Sequence, residues 1–433
     1  MKDLLRNMRK GLLAFLLVVS LGFFLLFLVN LLPTGRIAFH VRESGSILNG
    51  EGDYWLITQG DLSAHLDNYT DAIMLLTAGY TGEESALEKT AHNYRLALKE
   101  GTWGESCMGC GILPDDQVKL GTYERYWQGF LIVLKPLLLF LNLSEIRSLN
   151  MVGILSCIVL ICVLLSRRQK SAYIFPYILA LCFMNLGTVL VSLQYSTIFY
   201  TTSIAMIGML LFFDRKKFQE NIWLFFLITG MCTSYFDFLT YPIVALAFPL
   251  TLFFLLSAQK KLLPAIGRLI GYSLLWGIGY SGMWASKWVI ATLITGKNQF
   301  IKAFSKIRER SGHDVIDVPF TWTQMMHTMK DYLTNGSTLY LLTVFLLLLL
   351  ILVVLTKGYR QKSHWITTFL LALISLYPFL WYTAAANHSM QHNFFTFKSM
   401  AAFLFAIGSC LIPLVDWNRF KKKLSQFALR TKL

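Results

Sequence analysis

Uncharged apolar runs of about twenty residues recur along this chain, and they restrict its fold more than any other feature. Leu12 to Leu32 and Leu341 to Leu355 contain no charged residue at all. Such a run has the length of an α-helix that crosses the hydrocarbon core of a bilayer. A soluble core has no room for so many of them. Charged residues make up 15% of the 433 positions, against about 25% in soluble domains. Only helices and closed barrels satisfy their backbone inside lipid, and long unbroken runs favour helices. The expected fold is therefore all-α: a polytopic transmembrane helical protein of about ten spans.

The spans are predicted at roughly 12–32, 149–166, 172–188, 196–213, 221–236, 242–257, 269–292, 338–356, 364–383 and 398–415. Gly129 to Leu141 is too short to span and holds Lys135-Pro136, so it reads as an interfacial or re-entrant helix. Met1 to Lys10 is basic, and the run after it is too long for a signal-peptide core, which makes it a retained first span. Four parts follow: a stub and first span at 1–32; a polar loop with amphipathic and juxtamembrane helices at 33–148; a helix bundle at 149–416; and a basic tail at 417–433. Within the polar loop, Tyr69 to Leu76 and Glu84 to Leu98 carry helical periodicity.

The net charge of +15 would suggest nucleic acid in a soluble protein. Here the cations cluster between apolar runs, at Arg167-Arg168, Arg215-Lys216-Lys217, Lys260-Lys261 and Lys421-Lys422-Lys423. That is the signature of cytoplasmic loops, and it argues against nucleic acid. With the N-terminus inside, the loops at 167–171, 214–220, 258–268 and 357–363 each hold three Lys or Arg. The short loops on the other side, at 189–195, 237–241 and 384–397, hold none. Both termini are then cytoplasmic. The 33–127, 293–337 and 384–397 segments face outward, the first as a small helical subdomain. The 293–337 loop carries Lys302, Lys306, Arg308, Arg310 and His313. In an outer loop, the lone pair Cys107 and Cys110 suggests a local disulfide rather than a zinc or redox site.

Four groups of residues next to the membrane carry candidate chemistry. Asp67 and Asp71, spaced i, i+4, share one helix face. Like charges there ask for a metal, a cation or a shared proton; equally, Asp67 or Thr70 is a plain helix N-cap. Arg125-Tyr126-Trp127 offers a phosphate fork among aromatics, or an interfacial anchor. Asn387, His388, His392 and Lys398 occupy an otherwise apolar hairpin. They suit a phosphate or sugar hydroxyl better than a metal, since no Glu completes an H-E-x-x-H pattern; equally, the loop is a plain solvated turn. Asp237 closes a span among aromatics, as a cap or as part of a polar cavity. Gln194 and Tyr195 lie at an outer mouth, and Lys287 is placed to snorkel toward lipid phosphates.

In architecture the whole chain resembles the glycosyltransferase C superfamily. The resemblance rests on a basic first span, a large first outer loop with acidic residues on a helix, then many spans. The order around 125–166 is also similar: an aromatic juxtamembrane helix, Arg147, and a span ending in basic residues. The resemblance implies a polyprenyl-phosphate sugar donor, a glycan, lipid or protein acceptor, a carboxylate base in the first outer loop, and a site set among membrane lipids. It implies Asp67 or Asp71 as that base. Arg125, Lys398 and His388 or His392 would carry positive charge for the leaving phosphate, and Tyr126 and Trp127 would line a groove. A divalent metal stays open as a cofactor. The expected location is a bacterial inner membrane. A lipid-linked glycan flippase, an O-antigen-type polymerase and a non-catalytic relative are the competing readings. Charges gathered at the outer mouths, and a largest loop that comes first, set this chain apart from the flippase and polymerase patterns.

Overall fold

A computed structural model describes residues 2–312, 321–334, 337–356, 365–416, 418–420 and 422. His313, the 357–363 loop and most of the 417–433 tail lie outside the described residues. The first helix, α1 (Lys2–Val29), is followed by α2 (Thr34–Glu51), α3 (Asn68–Ala78), α4 (Ala86–His92) and α5 (Trp103–Met108). Among the described residues one antiparallel strand pair joins them, β1 (Arg95–Leu98) with β2 (Val118–Gly121), on either side of α5. The short α6 (Leu131–Leu138) leads into α7 (Leu143–Arg167), α8 (Ile174–Phe183), α9 (Leu186–Val191), α10 (Leu193–Phe212) and α11 (Lys216–Glu220). Next come α12 (Ile222–Phe236), α13 (Val244–Leu256), α14 (Leu262–Thr295), α15 (Gln299–Ser311) and α16 (Trp322–Thr334). The chain continues through α17 (Ser337–Thr356), α18 (Trp365–Ser375), α19 (Tyr377–Ala384), α20 (Ala386–Gln391), α21 (Asn393–Thr396) and α22 (Met400–Leu411).

Six helical stretches among the described residues are long and apolar enough to cross a membrane: Leu5–Val29, Leu143–Arg167, Leu193–Phe212, Leu262–Thr295, Trp365–Ala384 and Asn393–Leu414. Four shorter apolar helices accompany them, Ser171–Phe183, Ile222–Phe236, Val244–Leu256 and Leu342–Thr356. The chain is an integral membrane protein built almost wholly of helices. The all-α expectation needs one amendment, the two-stranded β1–β2 sheet in the polar segment.

The bundle packs around α13, every residue of which from Val244 to Leu255 is buried. A helix that is apolar all round has no solvent or lipid face and belongs at the centre. Beside it α12 crosses α14 through two glycines. A Cβ on Gly230 would lie 2.0 Å from the Trp276 carbonyl oxygen, and one on Gly279 would lie 2.1 Å from that of Leu227. Small residues let backbones touch where lipid offers no hydrophobic drive for association. On α1, by contrast, Leu12, Leu13, Leu16, Leu17 and Leu21 are exposed, as suits side chains that meet lipid.

A second core knits the polar segment to the bundle. It joins Ile37 and Val41 of α2, Leu75 of α3 and Leu134 of α6 to Met231 and Met283. Polar pins reinforce it. The Arg147 guanidinium donates to both Glu51 carboxylate oxygens at 2.7 and 3.0 Å, and to Asn68 Oδ1 at 3.1 Å.

Local chemistry explains the departures from the predicted elements. The helix expected over Glu84 to Leu98 stops at His92, because Asn93 takes a left-handed cap at φ +50°. The rest becomes β1, whose partner strand begins twenty residues beyond Leu98. The helix α2 went unrecognised in a segment rich in Gly, Ser and Glu. The span expected at 172–188 breaks after Met184, where Asn185 is left-handed at φ +52°. Cys107 and Cys110 are both free and buried. Each thiol points at its own carbonyl, Ala72 at 3.8 Å and Gly79 at 3.3 Å, so the expected disulfide is replaced by two separate contacts.

Candidate functional site

The predicted candidates gather at one end of the bundle, where α10, α13 and α22 begin and α12 and α14 end. The two aspartates have different surroundings. Asp71 is fully buried, and its carboxylate accepts from the backbone N–H of Leu193 and of Gln194, both at 3.0 Å, and from Ser192 Oγ at 3.3 Å. It caps α10, whose first N–H groups have no partner within the helix. Burial raises its pKa to about 6, against the pull of Arg147 and those donors. Asp67 caps its own helix, accepting from Thr70 N at 3.1 Å and Thr70 Oγ1 at 2.7 Å. It is 2% exposed. Burial raises its pKa to about 7, with the carboxylates of Asp71 and Asp53 adding to the rise.

Beside Asp67, starting at Tyr54 and Tyr69, runs a circuit of rings and cations in which two links are made by charge rather than by contact. Tyr54 stacks on Tyr69 at 6.3 Å and meets Phe394 edge-on at 5.2 Å. The Asp67 carboxylate, after burial, raises the Tyr54 phenol to about 12. Phe394 adjoins His392 at 6.2 Å, which lies within the field of Arg310. The Arg310 guanidinium sits over Tyr126 at 5.6 Å. Tyr126 stacks on Tyr123 at 5.1 Å, and both Arg95 and Arg125 lie over Tyr123, at 5.5 and 5.3 Å. The charge of Arg95 in turn acts on Tyr69. Two of the circuit's cations keep donors in reserve, because Nη1 of Arg95 and Nη1 of Arg310 are buried without a hydrogen-bond partner. Buried donors of this kind are costly unless something satisfies them.

The remaining candidates divide between this circuit and the scaffold. His388 donates from Nε2 to the Leu239 carbonyl at 2.6 Å, and Asn387 donates to the Glu309 carbonyl at 2.8 Å. Burial and the Arg310 charge hold His392 at about 4 and His388 well below its usual range. Both imidazoles are therefore neutral at pH 7, and the positive charge expected of them belongs to Arg310. Asp237 accepts from Thr240 N and Oγ1, and burial lifts its pKa to about 6. The loop holding Arg125 and Tyr126 is nailed to α14. Trp284 and Trp288 donate to the Arg125 carbonyl at 2.7 and 3.1 Å, and Trp127 donates to that of Met283 at 2.6 Å.

Trp127 is thus a core pin rather than a groove wall. Lys398 also belongs to the scaffold. Its ammonium donates to the Met184 carbonyl at 2.7 Å and Thr188 Oγ1 at 2.8 Å, clamping the break between α8 and α9. Lys287 does not snorkel to lipid; it donates to the Thr90 and Ala91 carbonyls at the end of α4. Gln194 is buried beside the Asp71 cap, and Tyr195 donates to the His65 carbonyl at 3.3 Å.

Sequence reasoning missed Arg95, Tyr54, Tyr123 and Asp53, and did not single out Arg310 from its loop. Gln128 belongs with them: it is buried at φ +56° with both amide atoms unpartnered. An isolated Gln after Tyr-Trp gives no signal in a sequence. For a divalent metal the donor set does not fit. Among the described residues no three His, Cys, Asp or Glu side chains come together, and the Nε2 of His388 is already engaged. No family model, no curated protein and no solved structure matches this chain.

Proposed function

We propose that this protein is a membrane glycosyltransferase of the glycosyltransferase C kind, moving a sugar from a polyprenyl-phosphate donor to an envelope glycan, lipid or protein acceptor. The observation that carries this reading is the circuit beside Asp67. It combines a buried carboxylate with a pKa near 7, stacked tyrosines and arginines with unpartnered donors. Aromatic rings stack on sugars, and arginine forks match phosphate oxygens. In the reaction an acceptor hydroxyl attacks the anomeric carbon. The bond from that carbon to the phosphate oxygen breaks, and the electron pair leaves with the lipid phosphate. The hydroxyl proton passes to Asp67, whose pKa suits a general base at neutral pH. Arg310, with Arg95 and Arg125, stabilises the charge that develops on the leaving phosphate.

The same reading takes all ten apolar helices as spans, both termini as cytoplasmic and the Asp67 end as the outer face of a bacterial inner membrane. The cations of Arg167, Arg168, Arg215 and Lys261 at the opposite end support that orientation. A flippase is the second reading, favoured by one feature: the interrupted helix at Met184–Asn185 with buried Lys398 bound across it.

Transfer of radiolabelled sugar from polyprenyl-phosphate donors in proteoliposomes tests the first reading. Wild type transfers label, and Asp67→Asn does not. Full activity in a folded Asp67→Asn protein sinks the assigned base. Lipid-linked glycan crossing the bilayer without any sugar transfer points to the flippase.

A further inference from the structure

Away from this circuit, a small polar cleft, partly open to solvent, lies where α1, α3, α4 and α6 meet. Lys135 and Lys89 line it with Tyr80, Tyr94, Asn30 and Asn93. Lys135 is 1% exposed. Its ammonium has one hydrogen bond, to Asn30 Oδ1 at 2.8 Å, which leaves two of its three protons over. Lys89 sits over the Tyr80 ring at 5.9 Å. No carboxylate lines the pocket. The nearest one in the bonding scheme, Glu84, accepts from the Tyr80 hydroxyl at 2.7 Å. Burial, with Lys89 adding, pulls Lys135 down only to about 8, so it is charged at pH 7. A buried ammonium without a counter-charge is costly, and a second cation on the same pocket adds to the cost.

We infer that this pocket binds the oxyanion of a phosphate group between Lys135 and Lys89, as a site separate from the Asp67 circuit. Asn30 follows the end of the first apolar helix, and Lys135 stands on the short helix before α7. The pocket is therefore level with the end of a membrane-crossing segment, where phosphate comes either from a lipid headgroup or from solution. Neither the pocket nor its ligand depends on sugar transfer.

The full-length protein in nanodiscs of pure phosphatidylcholine is titrated with inorganic phosphate, with chloride at equal ionic strength as the control, and thermal unfolding is followed. A second arm replaces a fifth of the lipid with phosphatidic acid. Phosphate raises the wild-type midpoint, or phosphatidic acid does so alone; the first outcome names a soluble phosphate and the second a lipid headgroup. Lys89→Gln, at a partly exposed position, weakens the response at least tenfold in apparent affinity. Lys135→Met abolishes it, while its midpoint in phosphatidylcholine nanodiscs without added inorganic phosphate or phosphatidic acid is no lower than that of wild type. The inference is overturned if neither arm stabilises the wild type, or if both variants respond as it does.

Discussion

The acidic and the basic sides of the circuit are built on opposite principles. On the acidic side, Asp67 and Asp71 sit on α3 and are held by helix-capping hydrogen bonds. Nearly every carboxylate oxygen there has a donor. On the basic side, Arg95, Arg125 and Arg310 come from a strand, a loop and the last turn of a helix. They rest on tyrosine faces, and two of them hold unpartnered N–H groups. The difference teaches which side is complete in the free protein. The carboxylates are already satisfied, and the guanidiniums are arranged for an anion that has yet to arrive.

The largest effect that breaks this contrast is Asp67→Asn. Loss of a general base costs on the order of 10²- to 10⁴-fold in transfer rate, read by radiolabel incorporation. Asp71→Asn, one turn along the same helix, instead lowers the thermal midpoint, because an amide NH2 would face a donor that a carboxylate oxygen now accepts from, a loss of about 1–3 kcal/mol. A transfer defect for Asp71→Asn in a protein of unchanged stability would reverse the two roles.

On the basic side, Arg310→Gln lowers kcat/KM by roughly 10- to 100-fold, as expected for one charge-assisted contact. Arg310→Lys recovers only part of it, because an ammonium cannot fork. Equal activity of all three proteins would remove Arg310 from the phosphate site.

The pH profile sharpens the contrast further. Transfer rises as pH climbs through about 7, where Asp67 ionises. Stability moves the other way. Asp67 has a pKa of about 7 folded and near the usual 3.8 unfolded. The folded state therefore binds more protons between those values, and stability falls as pH rises across that window. Asp71 and Asp237, both raised to about 6, act in the same direction. Thermal unfolding in detergent from pH 4 to 8 measures the fall. The smallest effect is Asp53→Asn. It removes a neighbouring negative charge and shifts the activity profile toward acid by about a few tenths of a pH unit; an unmoved profile would separate Asp53 from the base.

Much of the membrane architecture was legible because the bilayer imposes one length and one polarity on every crossing helix. Each predicted apolar run overlaps an apolar helix of the structure, six of them long enough to cross a membrane, although the run at 172–188 is broken after Met184. Asp67 and Asp71 were legible as a pair by their helical spacing, but their division of labour was not. It depends on α10 arriving with its unpaired N–H groups against Asp71, more than a hundred residues away in sequence. Arg310 and Arg95 hid for a similar reason, since a basic residue in a polar loop looks like ordinary surface until the fold places a tyrosine beneath it. Lys398 misled in the opposite direction. The resemblance assigns Lys398 to the leaving phosphate, while the fold buries it against the Met184 carbonyl and the Thr188 hydroxyl at the break before α9.

The length of α14 has its own mechanical meaning. At 34 residues and 1.5 Å per residue, it is about 51 Å long, well beyond a hydrocarbon core of about 30 Å. It stands like a mast stepped at Gly279 against α12. From its C-terminal part hang both the Arg125–Tyr126 loop, through two indoles, and α15 with Arg310. The cationic half of the circuit is thus rigged to a single spar. A tilt of that spar would carry Arg125 and Arg310 together relative to Asp67, and would set the gap between charge and carboxylate in one motion.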